Sequence, residues 1–246
     1  MNGDLSFMRY LRRLEVGDMV GNTLVIPPSV VGLVLNGDCH DATVSGTKGL
    51  TQLNVHWEGV SITPCPNLRE LEWRCKYLSD NVPFSWVDLT ALSALTIFSH
   101  SICHGFRFPQ NLVKFHLSLL NQPFDVALLT PLKKLQHLDI SLNTKSPLDF
   151  SGLESLTELS TENVVSRLPT SLVQCTASVR SDFDFSAHTN LTSLFVWPIG
   201  EVRLTFPHQL KLLEINTHSG SVRSSNLSEL NLDSYGESYT VGSYYV

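Results

Sequence analysis

Apolar residues recur along this chain in a fixed hexamer. Its first, fourth and sixth places are apolar and its fifth is usually polar, as in LQHLDI from Leu135 to Ile140. Alternation over places four to six has the period of a strand with one buried face. The first place sits at the bend into that strand. The hexamer starts at Leu11, Val30, Leu50, Leu68, Leu92, Leu112, Leu135, Leu156, Leu172, Leu191, Leu210 and Leu227, twelve copies in all. Leu11 and Leu227 are 216 residues apart over eleven intervals, a mean near 19.6, with single intervals from 16 to 24. Two copies are degenerate: LTELST ends on Thr161, and LVQCTA puts Cys175 and Ala177 at the apolar places. Each strand is too short to bury its face alone, so the copies must stack side by side, about 4.8 Å apart, as parallel strands over one continuous core.

The copies differ in how they begin. One class enters through an apolar residue and proline, as in IPPSV at 26–30, CPNL at 65–68, FPQNL at 108–112, LPTSL at 168–172 and FPHQL at 206–210. Proline fixes φ, donates no hydrogen bond and holds the preceding residue extended, so these copies should return as extended chain. The other class carries Asp, an apolar residue and Ser ahead of the anchor: DLSFMRYL (4–11), DFSGLESL (149–156) and DFSAHTNL (184–191). Asp-x-Ser can cap a short helix or 3₁₀ turn, with apolar residues three and six before the anchor facing inward, Leu153 and Phe150 for instance. Repeats near 20 residues leave no room for long outer helices.

With these hexamers the chain resembles the leucine-rich repeat superfamily over about residues 5–233. The proline-entry copies are similar to the short FNIP-like and BspA-like variants. The resemblance implies a β-rich solenoid of the α/β leucine-rich repeat class. About twelve short parallel strands line one face, extended, 3₁₀ or short helical returns the other. It also implies protein recognition on the strand face. The organisation expected is one solenoid over 1–233, with 234–246 as a tail or makeshift cap. One feature departs from the family. The ninth place of a repeat usually carries an asparagine that ties neighbouring turns together, and here only Asn143 does so. Other side chains must satisfy the buried backbone groups, or the turns are looser and wetter there.

Composition narrows the function classes. Charged residues make up 16% of the chain and apolar ones 42%, which argues against disorder. A net charge of -6 with no Lys/Arg run argues against a nucleic-acid surface. No stretch approaches the roughly 18–20 apolar residues of a membrane span. Residues 1–16 do not read as a secretory signal. The five cysteines are scattered and odd in number, which suits reduced thiols and a cytoplasmic location.

Candidate chemistry is sparse. No phosphate-binding loop, nucleophile elbow or zinc-protease motif is present. GDCHD at 37–41 and HSICH at 100–104 follow strands and read as turn residues, because neither has a second half-site. NLT at 190–192 and NLS at 226–228 match the glycosylation signal, yet Asn67 and Asn111 hold the same place directly before the anchor, so the match follows from asparagine being favoured at that bend. The expectation is a protein without catalytic residues, metal or cofactor that binds a partner protein through the outward strand positions. Phe195, Trp197 and Leu212 stand there as large apolar groups on adjacent copies, with Glu214 beside them. His116, His137 and Asp139 form a second, central candidate group. Glu70, Glu72, Glu158, Glu214 and Glu229 tilt the partner toward a basic or mixed surface. The alternative is the recognition part of a larger regulatory or ubiquitin-ligase-type protein whose catalytic or adaptor domain is not in this chain. A surface adhesin is the second alternative.

Overall fold

The computed structural model describes residues 3–18, 23–36, 42–56, 60–78, 89–102, 106–121, 124–199, 202–217 and 220–224. The chain divides into two compact units, Met1–Phe124 and Asp125–Val246. Over its described residues each is a stretch of parallel β-solenoid with almost no helix.

In the first unit the ribbon strands are β1 (Arg13–Val16), β2 (Gly32–Leu35), β3 (Gln52–Val55), β4 (Glu70–Arg74), β5 (Ala94–Ser99) and β6 (Lys114–Leu119). Every one begins two residues after its anchor. They pair in chain order, all parallel, and third place always faces third place: Arg13, Gly32, Gln52, Glu70, Ala94, Lys114. The return path carries a second parallel sheet, from Gly3–Asp4 through Thr23–Val25 and Thr43–Ser45 to Ser61–Ile62. In the second unit the ribbon holds β7 (His137–Leu142), β8 (Glu158–Arg167), β9 (Gln174–Val179), β10 (Ser193–Pro198) and β11 (Leu212–Thr217), parallel and in the same register. The twelfth copy, expected at Leu227, lies outside the described residues, as does 234–246. After β11 comes β12 (Gly220–Ser224), which runs antiparallel to β11, unlike the other described ribbon strands.

One bonding pattern sets this register. The N–H groups of places two and three both donate to the carbonyl of place two in the copy before. Val31 and Gly32 donate to Arg12 O at 2.9 and 3.1 Å; in the second unit Val173 and Gln174 donate to Thr157 O at 2.8 and 3.0 Å. The same carbonyl takes a hydroxyl where place two is Ser or Thr, as with Thr51 to Val31 O and Thr192 to Val173 O.

The two entry classes differ less than their sequences do. In both, the anchor N–H donates to the carbonyl three residues back, Val30 to Pro27 and Leu172 to Pro169 in one class, Leu156 to Leu153 and Leu191 to His188 in the other. The Asp-x-Ser copies add a further turn before it. Asp4, Asp149 and Asp184 each accept the backbone N–H of the Ser two residues on, at 2.8, 2.9 and 2.9 Å. The Asp-x-Ser signal thus makes paired turns in these copies and not a short capped helix. A 3₁₀ helix does form at Val126–Leu129, capped by Asp125, and another at Thr47–Gly49.

Beyond the first copy, buried columns therefore run through both classes at places one, four and six and at three and six before the anchor. Val30, Leu33, Leu35, Pro27 and Leu24 fill them in a proline-entry copy, and Leu191, Leu194, Val196, His188 and Phe185 in an Asp-x-Ser copy. The degenerate copies keep these columns by other means. Cys175 and Ala177 are buried where larger residues stand elsewhere. Thr161 is buried too, and its hydroxyl accepts the N–H of Asn163 at 3.1 Å. β8 also runs on through what is a turn in other copies, shifts register between Ser160 and Val164, and pairs its far end with Leu148–Asp149. That straight run accompanies the shortest anchor interval.

The missing ninth-place asparagines are replaced at the bend before the anchor. In seven described copies the residue directly before the anchor reaches the preceding copy: Asn67 Nδ2 donates to Lys48 O at 2.9 Å, Asn111 to Thr90 O at 2.8 Å and Asn190 to Thr170 O at 3.3 Å. Ser29, Ser155, Ser171 and Gln209 do the same from that place. Asn143, which matches the family position, is exposed. The buried asparagine is Asn163, at the eighth place. Its Oδ1 accepts Leu142 N–H at 2.9 Å and its Nδ2 donates to Leu142 O at 2.7 Å. Asn190 is thus bonded into the stack, which supports reading NLT as turn chemistry.

Candidate protein-binding face

Places three, five and seven of each ribbon strand point away from the core, because side chains alternate along a strand. In the second unit β10 alternates half-buried and buried residues along its length. Phe195 stands in register between Thr176 and Glu214, and Trp197 beside Ser178. Leu212 faces Ser193 one strand over, on the diagonal from Phe195. Phe195, Trp197, Leu212 and Glu214 are all half-buried. Two aromatic rings and a leucine thus sit on an outward face beside Thr176 and Glu214, while the Ser178 hydroxyl is buried and donates to Glu162 O at 2.9 Å. Glu214 Oε1 accepts from Asn216 Nδ2 at 3.5 Å on the same strand.

The central group divides between the units. In the second, His137 and Asp139 share the outward face of β7. His137 Nδ1 lies 2.7 Å from Glu158 Oε2, its register partner on β8, and exposed Asp139 faces Ser160. Such a partly exposed pair is worth about 0–1 kcal/mol, so it positions the imidazole more than it stabilises the fold. In the first unit His116 faces Thr96, and its ring lies 5.0 Å from that of Phe98 at 49°. The Arg74 guanidinium also sits over Phe98, 4.2 Å from the ring centroid.

The first unit also has a feature that sequence reading missed. Gly32 and Ala94 occupy third places where neighbouring copies carry Gln52 and Glu70. The short side chains leave a hollow of about 280 Å³ in the outward face, floored by Val34 and walled by Gln52, Asn54, Glu70 and Glu72. The walls are held by bonds within the row. Gln52 Nε2 donates to Glu70 Oε2 at 2.9 Å, and Asn54 Nδ2 to Glu72 Oε2 at 3.3 Å. Arg74 Nε donates to Glu72 Oε1 at 2.6 Å, with His56 Nε2 3.7 Å from the same oxygen. The hollow presents carboxylate and amide oxygens over an apolar floor. Its only signal in the sequence is smallness at two third places, which reads as nothing when residues are scanned for chemistry.

Of HSICH, His100 is half-buried in the first unit, while Cys103 and His104 lie outside the described residues, as does GDCHD at 37–41. Cys65 and Cys175 are buried free thiols, and burial pushes the Cys175 thiol up to about 12. Hydrogen bonds from Ser151 hold the Asp149 carboxyl below its ordinary range, and bonds from Thr205 and Ser186 do the same for Asp184. No described helix is long and apolar enough to cross a membrane.

No family model matches the sequence, and neither does any curated protein. Among solved structures, an internalin from Listeria monocytogenes str. 4b F2365 overlaps 73% of this chain and 73% of its own, at 15% identity and a TM-score of 0.36. An overlap that loose carries no functional argument, and the shared register of the ribbon strands is what establishes the solenoid.

Proposed function

We propose that the chain is a non-catalytic protein-interaction module that takes a partner protein on the outward face of its ribbon strands. The observation that carries this reading is the Phe195–Trp197 pair. Both rings remain half-buried on a face whose register neighbours are Thr176, Ser178 and Glu214. Partly exposed aromatic groups ringed by polar ones supply most of the energy in protein interfaces. Glu214, with His137 and Asp139 on a neighbouring part of the same unit's ribbon, gives the polar contacts. The carboxylates around them favour a basic or mixed partner surface. In the first unit, His116 and the Glu70–Glu72 hollow present the same chemistry. The reading includes one solenoid over 1–233, closest in kind to the FNIP-like and BspA-like short repeats. It also includes an intracellular location, which the free thiols of Cys65 and Cys175 support.

The test is capture of partners from native lysate by the wild-type chain and by Phe195→Ala/Trp197→Ala. The double variant should keep the circular dichroism spectrum of the wild type and bind a captured partner at least about tenfold more weakly, since two aromatic anchors are lost. Unchanged capture by the folded variant sinks the site. Unfolding of the variant would show instead that the rings belong to the core.

A further inference from the structure

The first copy is built like the others but packed differently. Leu14 and Val16, its inward strand residues, are half-buried, whereas Leu33, Leu53 and Leu71 at the place of Leu14 are 1, 0 and 2% exposed. Met8, three before the anchor, is 42% exposed in a column where Cys65, Leu153 and His188 are buried. Phe7 and Tyr10 are 71 and 95% exposed. Tyr10 stands directly before anchor Leu11. In seven later copies that place carries the Asn, Ser or Gln that bonds the copy before it. At the first copy, where no described residue lies outside β1, an aromatic ring takes the place of that polar group.

The backbone of this edge is oriented. Gly32 and Gln52, at third places, aim their N–H groups at the preceding copy. Residues alternate direction along a strand, so third and fifth places face the same way. Arg13 and Glu15 therefore point both N–H and C=O away from β2, out of an edge with which no described strand pairs. Their side chains are exposed, and neither takes part in an ion pair among the described residues; Glu15 Oε1 accepts from Asn36 Nδ2 at 2.6 Å.

We infer that this edge pairs with the same edge of a second copy of the chain, antiparallel, about a two-fold axis at Leu14. Only edge-pointing residues can exchange ladder bonds, and residues directly opposite share a face. An axis at Leu14 sets Arg13 opposite Glu15 of the second copy and Glu15 opposite its Arg13. Both are hydrogen-bonded pairs, each exchanging two main-chain bonds, and both unite opposite charges. An axis at Glu15 sets that carboxylate against itself, which is unfavourable. The Leu14 axis makes the contact self-complementary, as a two-fold interface requires. It also brings Leu14 against its own counterpart and covers an edge that is otherwise a template for uncontrolled pairing. Arg13 also lines the hollow of the first unit, so the pairing shares that side chain with the outward face, whereas Phe195 and Trp197 take no part in it.

Sedimentation equilibrium of the purified chain from about 1 to about 100 μM tests the pairing. The wild type should sediment as a reversible dimer. Arg13→Glu alone and Glu15→Arg alone should each weaken dimerisation at least about tenfold, because each sets like charges opposite one another. Arg13→Glu/Glu15→Arg together should restore it. All three should match the wild type by circular dichroism, since the substituted side chains are exposed. A wild type that stays monomeric to the top concentration overturns the proposal, and a different protein's strand then becomes the occupant to seek. So does dimerisation that ignores the single reversals, or that the double reversal fails to rescue.

Discussion

Asn163 offers the sharpest test of how the degenerate copy holds together. Its carboxamide takes both main-chain groups of Leu142, at 2.9 and 2.7 Å, in a region where Asn163, Leu142 and Thr161 are all buried. Asn163→Ala leaves the Leu142 N–H without a partner, while Leu142 O keeps the N–H of Thr144 at 3.0 Å. An orphaned buried donor costs about 1–3 kcal/mol, so the variant should lose about that much. At about 2–4 °C per kcal/mol for a chain of this size, the midpoint of thermal unfolding should fall by roughly 2–12 °C. Asn163→Asp makes a finer point. As a carboxylate the new side chain can still accept from Leu142 N–H, but it sets an oxygen against Leu142 O and buries a charge. Both effects raise its folded-state pKa above the unfolded value near 3.9. A raised folded value means stability that is present below about pH 3.9 and is lost as the pH climbs to the folded pKa. Once protonated, the substituted carboxyl can donate to Leu142 O and imitate the amide. Asn163→Asp should therefore approach wild-type stability near pH 4 and fall below Asn163→Ala at pH 7, measured by urea unfolding at both values. Equal losses for the Asp variant at the two pH values would refute the bidentate geometry.

Gly46 has φ +81°, and a Cβ there would lie 2.4 Å from Ile26 O, so Gly46→Ala should cost roughly 1–3 kcal/mol in thermal or urea unfolding. Cys175, buried with its thiol pushed up to about 12, should resist maleimide at pH 7.5 in the folded chain and react after urea, whereas half-buried Cys75 should label first; peptide mass mapping reads both. Asp184 is held below its ordinary 3.8 by bonds from Thr205 and Ser186, so its contribution is complete above that value and disappears as the pH falls through the lowered one. Asp184→Asn should therefore be less stable than the wild type at pH 6 and converge with it in acid, by urea unfolding across the range.

The strands were legible because their signal is carried by side chains that must be apolar. From Leu11 to Leu210 each anchor is followed two residues later by a strand, including those of the degenerate LTELST and LVQCTA copies. The convergence of the two entry classes was not legible, because the bond that unites them runs from the anchor N–H to a carbonyl and leaves no residue signature. Ladder asparagines were visible in Asn67, Asn111 and Asn190 but read as a bend preference, since sequence alone does not show what an amide reaches. Asn163 was hidden by an offset of one place from the family position. On the functional face, Phe195 and Trp197 announced themselves by size. The hollow over Val34 is made by what Gly32 and Ala94 lack.

One of the turns before the anchors doubles as a modification signal. In Asn190-Leu191-Thr192 the amide donates to Thr170 O and the hydroxyl to Val173 O, so both polar groups fasten one copy to the last. The same tripeptide is the acceptor signal that a secretory pathway decorates with sugar. A glycan on Asn190 Nδ2 would replace one of its two amide hydrogens and force bulk against the turn at Thr170. Export and this manner of fastening therefore compete for one atom. The one amide hydrogen left would have to keep the bond to Thr170 O while the sugar points away from the stack.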